Sequence, residues 1–569
     1  MLETPESWGR APTRKRAAVE ILERLAMACQ REGLLSCTLE AGHLKLQGRE
    51  GGELLLDLDR LYTMNRFDLV QFPEALEEVG ADGCFEWFLD HLLKPPEERR
   101  AVLWSELQNS YLNMALSLEA LQDNGPGDPG EGTLADWEGR VWYGHPLHPG
   151  ARLRSGLSAR ENKTYGPEWG ARLELPLLCV PSESLNQVGS FSDRILSLFP
   201  SLKRPGEGYA LVPVHPWQAQ NDLKTRFAER FESGELSFSD QTVPARPTMS
   251  FRTVVLETEV GEDYHLKLPV AVQTTGATRT VSVAATQNGP LMSRFLSQLF
   301  AHPDITQTDL FDRLHLMAEP ASFHLKDEDP DRSRFLSAVL RRGPQERRGE
   351  GARWLMPAQA LLEPRENPLF LRAAEYYGLQ PLELFSRYCR SLLPAQAFLC
   401  GELGIALEAH PQNVVVDFRG IRGSEPEVHF WYRDLGGIRL HPERLREALK
   451  RRGWRELEVP VFWPGSATST DSVRDLSSKF VYSLLQNHMG ELIRAICRSG
   501  QSEDDYWKIV YEVLEEHRPL MGVDLADRVF QPQWDLKAMW TMRLDSAITE
   551  YTFCPVENPL LRGKKACPA

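Results

Sequence analysis

Apolar residues recur at helical spacing over residues 11–30 and 101–121 and predict two amphipathic helices early in the chain. The same spacing assigns 57–93 to helix. A short strand is expected around 44–56, turned at Gly51-Gly52, and Pro95-Pro96 stops a helix. Farther on the period shortens. Short apolar runs at 176–181 and 208–216 read as strands, and 247–255 alternates so that Thr248, Ser250 and Arg252 share one strand face. Residues 253–260 and 264–272 form a hairpin across Gly261-Glu262-Asp263. Helical spacing returns over 291–300, 310–317, 367–399 with a break at Gln380-Pro381, and 475–524. The run 428–440 is a further strand, closing on Arg433, Asp434 and a Gly436-Gly437 turn. A helix-rich start, a strand-rich middle and a mixed end make an α+β protein.

Two stretches cannot hold regular structure. D-N-G-P-G-D-P-G-E-G at 123–132 reads as an exposed loop, and R-R-G-P-Q-E-R-R-G-E-G-A-R at 341–353 as a charged surface loop. They divide the chain into segments 1–138, 139–352 and 353–569, in keeping with a length of 569 residues, too long for one core.

The polar residues of 404–418, G-I-A-L-E-A-H-P-Q-N-V-V-V-D-F, interrupt an apolar run. If the segment is extended, Glu408, His410 and Gln412 point to one face, with Asn413 beside them. Burying an acid, an imidazole and an amide together costs several kcal/mol unless each is paired or binds something. Glu408 and Asp434, on neighbouring strand-like segments, suit Mg²⁺ shared with substrate phosphates, or each forms an ordinary ion pair. A second set, Ser250, Arg252, Lys267, Thr275 and Arg279, lies on the hairpin and the loop that it feeds. Arg offers a planar fork, Lys a point charge and Ser or Thr a short donor, a combination suited to phosphate or carboxylate. No Walker or Rossmann glycine loop accompanies it. In G-H-P-L-H-P-G at 144–150, His145 and His148 have no third ligand at zinc spacing, so the loop reads as structural or anion-positioning.

A net charge of −15 argues against general binding to nucleic acid. No segment approaches a membrane span or a secretory signal, so a cytoplasmic protein is expected. The nine cysteines include no C-x-x-C pair and read as reduced thiols.

The ordered series G-H-P-L-H-P, V-P-V-H-P-W-Q, S-F-R-T, K-L-P-V, T-T-G-A-T-R, E-A-H-P-Q-N and R-D-L-G-G resembles the IucA/IucC-type synthetases, which make siderophores independently of peptide synthetases. The resemblance runs from about residue 144 to the tail. It implies a three-lobed cupped hand, with a helical thumb, β-rich fingers and a mixed palm, in a homodimer. The implied reaction is ATP-dependent adenylation of a carboxylate, typically citrate or a derivative, followed by attack of an amine or hydroxyl. It places His148 beside the nucleotide and Ser250, Arg252 and Lys267 on its phosphates. Thr275, Arg279 and His410 would hold the carboxylate and the developing charge, with Gln412 and Asn413 alongside, and Glu408 and Asp434 would bind Mg²⁺. Arg152 stands where the family usually has Lys. The order acid, His, Asn and Asp-Leu-Gly also loosely resembles a kinase Mg²⁺ site, which makes a phosphotransferase the alternative.

Overall fold

In the computed structural model, which describes residues 5–48, 50–127, 132–274, 276–344, 353–545 and 552–566, the first amphipathic stretch is the helix Ala11–Arg31. Its stripe Ala17, Ile21, Leu25 and Ala28 is buried against the long helix Glu97–Asn124. The helix expected over 57–93 is largely absent. Strands β1 (Ser36–Glu40), β2 (His43–Gln47), β3 (Glu53–Tyr62) and β4 (Arg66–Leu69) form an antiparallel sheet, and helix begins only at Gly80–Phe88. The reason is a period of two. Leu54 and Leu56 are buried while Glu53 and Leu55 are exposed, and Leu46 and Leu44 lie opposite them on β2. The first lobe is therefore a sheet on helices and not purely helical.

The middle of the chain builds one eight-stranded sheet. Its strands are β5 (Leu173–Pro181), β6 (Leu185–Val188), β7 (Tyr209–Pro213), β8 (Ser237–Pro247), β9 (Thr253–Leu256) and β10 (Tyr264–Lys267). After the small pair β11 (Val270–Thr274) and β12 (Ala277–Arg279), and β13 (Leu314–Leu316), come β14 (Ala321–Leu325) and β15 (Ser337–Arg342). The order is β6-β14-β15-β10-β9-β8-β5-β7. The expected hairpin is β9–β10, with Leu256 opposite Tyr264. The strand expected over 247–255 is broken. It is the turn between β8 and β9, closed by Thr248 N–H to Thr253 O (2.9 Å) and Phe251 N–H to Thr248 O (2.9 Å), with Phe251 at φ +66°. Arg341, assigned above to a surface loop, is a buried residue of β15, and residues 345–352 of that stretch lie outside the described residues. Residues 314–316 are strand β13, not helix, because they pair in parallel with a strand of the last lobe.

That last lobe has β16 (Arg353–Pro357), β17 (Ile405–Ala406), β18 (Val414–Arg419), β19 (Glu427–Tyr432) and β20 (Arg439–Leu440). β13-β19-β18-β16 is one sheet and β17–β20 a separate antiparallel pair. The helices Leu369–Tyr377 and Pro381–Gly401 break where expected, with Gln380 and Glu383 forming a capping box. Among the described residues, three large apolar clusters, one mainly within 17–151, one within 157–340, and one that joins 354–560 to Met292, Leu296 and Leu299 of the helix Val283–Phe300, are accompanied by a small fourth of Leu134, Met317, Leu355 and Val415. Among the described residues, no helix is long and apolar enough to cross a membrane. The described cysteines are free.

Candidate active site

A cavity of about 430 Å³ opens between the eight-stranded sheet and the last lobe. Strand pairing accounts for its palm-side wall. β17 pairs with β20 and β18 pairs with β19, so the connections 407–413 and 433–438 leave two adjacent clamps and face each other. Arg433 N–H donates to Asn413 O at 3.1 Å across the gap. The expected single strand with alternating polar heads is not what forms. Asn413 N–H closes a turn on His410 O (2.9 Å), and Glu408, His410, Gln412 and Asn413 all line the cavity from a loop. Asp434 adopts φ +67°, a left-handed conformation that Asp tolerates better than most side chains. Gly437 lies beneath Glu408, where a Cβ would come within 2.5 Å of Oε2.

The opposite wall is cationic. Lys267 on β10 lies opposite Val339 on β15, and Arg341, two residues farther along β15, shares its face. Lys267 Nζ meets Asp434 Oδ1 at 2.5 Å, and Arg341 Nη2 lies 2.8 Å from Glu319 and 3.7 Å from Asp434. Arg252 donates to Thr280 O and Arg279 to Thr274 Oγ1. Ser250 Oγ accepts from Thr253 N–H (3.2 Å) and lies 3.1 Å from Thr248 Oγ1. Thr275 lies outside the described residues.

Burial alone would push the Asp434 carboxyl up, but Lys267, Arg341 and Arg252 together hold it well below the usual carboxylate range. Glu408 is likewise pushed up by burial and brought below its ordinary value chiefly by Lys479, its ion-pair partner, while Asn413 Nδ2 reaches Oε2 at 3.5 Å. Burial lowers the pKa of His410 despite nearby Glu408, so at neutral pH the ring is a neutral hydrogen-bonding group. Burial, reinforced by Arg252, lowers Arg279 to about 10.

Both acids thus carry lysine partners, and among the described residues no group of three or more His, Cys, Asp or Glu could cage a metal. Two carboxylates facing one cavity do fit Mg²⁺, which keeps waters and takes its remaining ligands from substrate phosphates.

Residues 133–363 match the model of the IucA / IucC family. Over that segment the chain is similar to the family. Residues 382–551 match a second model, described as ferric iron reductase FhuF-like transporter. Among curated relatives, D-ornithine--citrate ligase of Staphylococcus aureus (strain NCTC 8325 / PS 47) is 27% identical, covering 95% of this chain and 93% of its own. Staphyloferrin A synthase of the same strain is 27% identical over 74% of this chain and 72% of its own. The petrobactin biosynthesis protein AsbB of Bacillus anthracis superposes with a TM-score of 0.79 at 18% identity, over 97% of this chain and 96% of that one. ATP-bound aerobactin synthetase IucA of Klebsiella pneumoniae gives 0.77 at 19% identity, over 96% and 99%. These likenesses establish the α+β fold.

The structure brings together Ser250, Arg252, Lys267, Arg279, Glu408, His410, Gln412, Asn413 and Asp434 in one cavity. His148 is placed elsewhere. It is buried, its Nδ1 accepts from Gly150 N–H (2.8 Å), and it meets Trp540 edge-on, while His145 from the same loop reaches the cavity. Arg341 went unrecognised in the sequence because its strand S-A-V-L-R-R runs directly into a charged stretch of sequence; the four residues before it carried the signal. Lys479, Tyr482, Ser483 and Asn487 were also missed. They lie on the π-helix Lys479–Met489, inside a stretch read only for its apolar stripes; Tyr482, Ser483 and Asn487 line the cavity and Lys479 pairs with Glu408.

Proposed function

We propose that this protein is an ATP-dependent siderophore-type synthetase. It activates a carboxylate of citrate or a citrate-derived acid and joins it to an amine or hydroxyl. The observation that carries this reading is a single cavity in which Arg252, Lys267, Arg279 and Arg341 face Glu408, Asp434 and a neutral His410. Such a wall suits a triphosphate and a polycarboxylate together, and relatives named as citrate ligases and a fold neighbour titled as ATP-bound support both ligands.

In the first step a substrate carboxylate oxygen attacks the α-phosphorus and the bond to the β-phosphate bridging oxygen breaks, giving acyl-adenylate and pyrophosphate. In the second an amine or hydroxyl attacks the acyl carbon, AMP leaves, and one proton is released. Arg252, Lys267 and Ser250 bind the phosphates, and Arg279 holds the substrate carboxylate in line, so that much of the rate gain comes from positioning and charge neutralisation. His410, neutral, donates to oxygen that gains charge, with Gln412 and Asn413 fixing the acid. Glu408 and Asp434 would hold Mg²⁺, which when bound neutralises phosphate charge. The homodimer and a cytoplasmic setting belong to the same reading.

The test is pyrophosphate release from ATP over a panel of acids crossed with amines and alcohols. Citrate or a near relative is expected to release pyrophosphate and AMP. ADP with a phosphorylated acid would instead establish the phosphotransferase alternative.

A further inference from the structure

The loop that brings His145 to the cavity has no regular structure of its own, and side chains hold its backbone. Arg152 Nε donates to Trp142 O (2.7 Å), and Arg24 donates to Tyr143 O (3.4 Å) and His145 O (3.1 Å). The amides are held from one place. Glu363, buried behind the loop, accepts both the Trp142 N–H and the Tyr143 N–H, the latter at 3.2 Å. Four residues earlier, Gln359 Nε2 donates to Gly144 O at 3.2 Å. The Gln359 backbone N–H donates to Pro411 O at 3.2 Å, within the loop that carries His410. Gln359 lies within, and Glu363 directly follows, a short 3-10 helix, Ala358–Leu362, anchored to the sheet of the last lobe through β16, in which Pro357 pairs with Val415. One short rigid segment therefore bonds both histidine-bearing loops.

We propose that Gln359–Glu363 is a strut that sets the His145 loop against the His410 loop, with Gln359 and Glu363 as positioning residues for adenylation. The proposal rests on the function argued above. Neither side chain has to touch the reacting atoms for this. On the far wall, Lys267 is held by its pairing with β15 and Arg252 by its bond to Thr280 O, contacts in which the strut takes no part. Its loss is therefore expected in the rate of the chemical step and not in substrate affinity. A displacement of about 1 Å between catalytic groups can cost on the order of 100-fold in rate.

The experiment compares wild type with Glu363→Ala, Glu363→Gln, Gln359→Ala and the Glu363→Ala/Gln359→Ala pair, in full-length protein. Glu363→Ala is expected to lower kcat for pyrophosphate release by about 10- to 100-fold, with KM for ATP and acid within about threefold. Glu363→Gln, a neutral isostere that still accepts an N–H, is expected to recover most of it. The paired variant should lose little more than Glu363→Ala alone, since both side chains hold one loop. A folded Glu363→Ala with unchanged kcat, a defect confined to KM, or losses that multiply would each overturn the strut. Amide exchange of Trp142 and Tyr143 gives a readout independent of turnover. It should quicken in Glu363→Ala or, if that variant does not fold, at Gly144–His145 in Gln359→Leu; unchanged exchange would overturn the proposal. A wild type that releases no pyrophosphate with any acid defeats the synthetase reading, while the exchange measurement still decides the strut.

Discussion

Lys267 and Arg341 stand on adjacent strands of one sheet, whereas Glu408, His410, Gln412 and Asn413 stand on a loop held between two short strand pairs. On the sheet side, ladder hydrogen bonds set the spacing of the cations, with Lys267 opposite both Thr253 and Val339. On the loop side, side chains set it: Lys479 holds Glu408, and Arg433 Nε holds the Gln412 carbonyl at 2.8 Å. The cationic wall is therefore a property of the fold, and the acidic wall a property of a side-chain network. A network of this kind loses its geometry through single substitutions that a sheet absorbs.

Three measurements break or sharpen that contrast. The largest effect is expected when one charge-handling group is removed from either wall. Arg279→Ala and His410→Ala should each lower pyrophosphate release by about 10²- to 10³-fold, with the thermal transition little changed. Retained activity in either would remove that residue from the chemistry. Next is the link between the walls. Lys267→Met removes the nearest cation from largely buried Asp434 and should cost about 3 kcal/mol in urea unfolding, while Lys267→Met/Asp434→Asn should regain most of that stability and none of the activity. Equal stability of the two variants would show that the walls are not joined there.

The smallest effect concerns Glu363, whose carboxyl is pushed up to about 8 by burial, against the opposing pull of Arg152, the Trp142 and Tyr143 amides and Arg24. The folded state holds this proton where the unfolded chain has lost it, so the contribution is full below about pH 4.5 and is lost as pH rises to about 8. Between pH 6 and 8 wild type should lose about 1–2 kcal/mol relative to Glu363→Gln. Parallel stability profiles would show that Glu363 is ionised throughout that range.

Lys267 was legible because strand-like runs flank an acidic-glycine turn, and a hairpin's register follows from its turn, whereas Arg341 on the neighbouring strand was not. Ser250 and Arg252 line the same cavity as Lys267, but from a turn and not from the strand expected to carry them. Glu408, His410 and Gln412 converge for a similar reason, since a loop gathered what alternation was expected to gather. Residues 57–69 show the reverse. Their leucines satisfy helical spacing closely enough to hide a strand, and only the pairing of β3 with β4 decides between the two. The partners of the acids could not be read at all, because Lys479 is brought to Glu408 from 71 positions away.

The pairs Lys267–Asp434 and Lys479–Glu408 mean that the cleft carries its own counterions. A phosphate or carboxylate that engages Lys267 displaces a protein carboxylate and not a dissolved anion. Occupancy should then depend less on ionic strength than the number of cations suggests. On the function proposed above, the same exchange would free Asp434 for a divalent cation, and the two kinds of ligand would then assist each other's entry by an equal free energy.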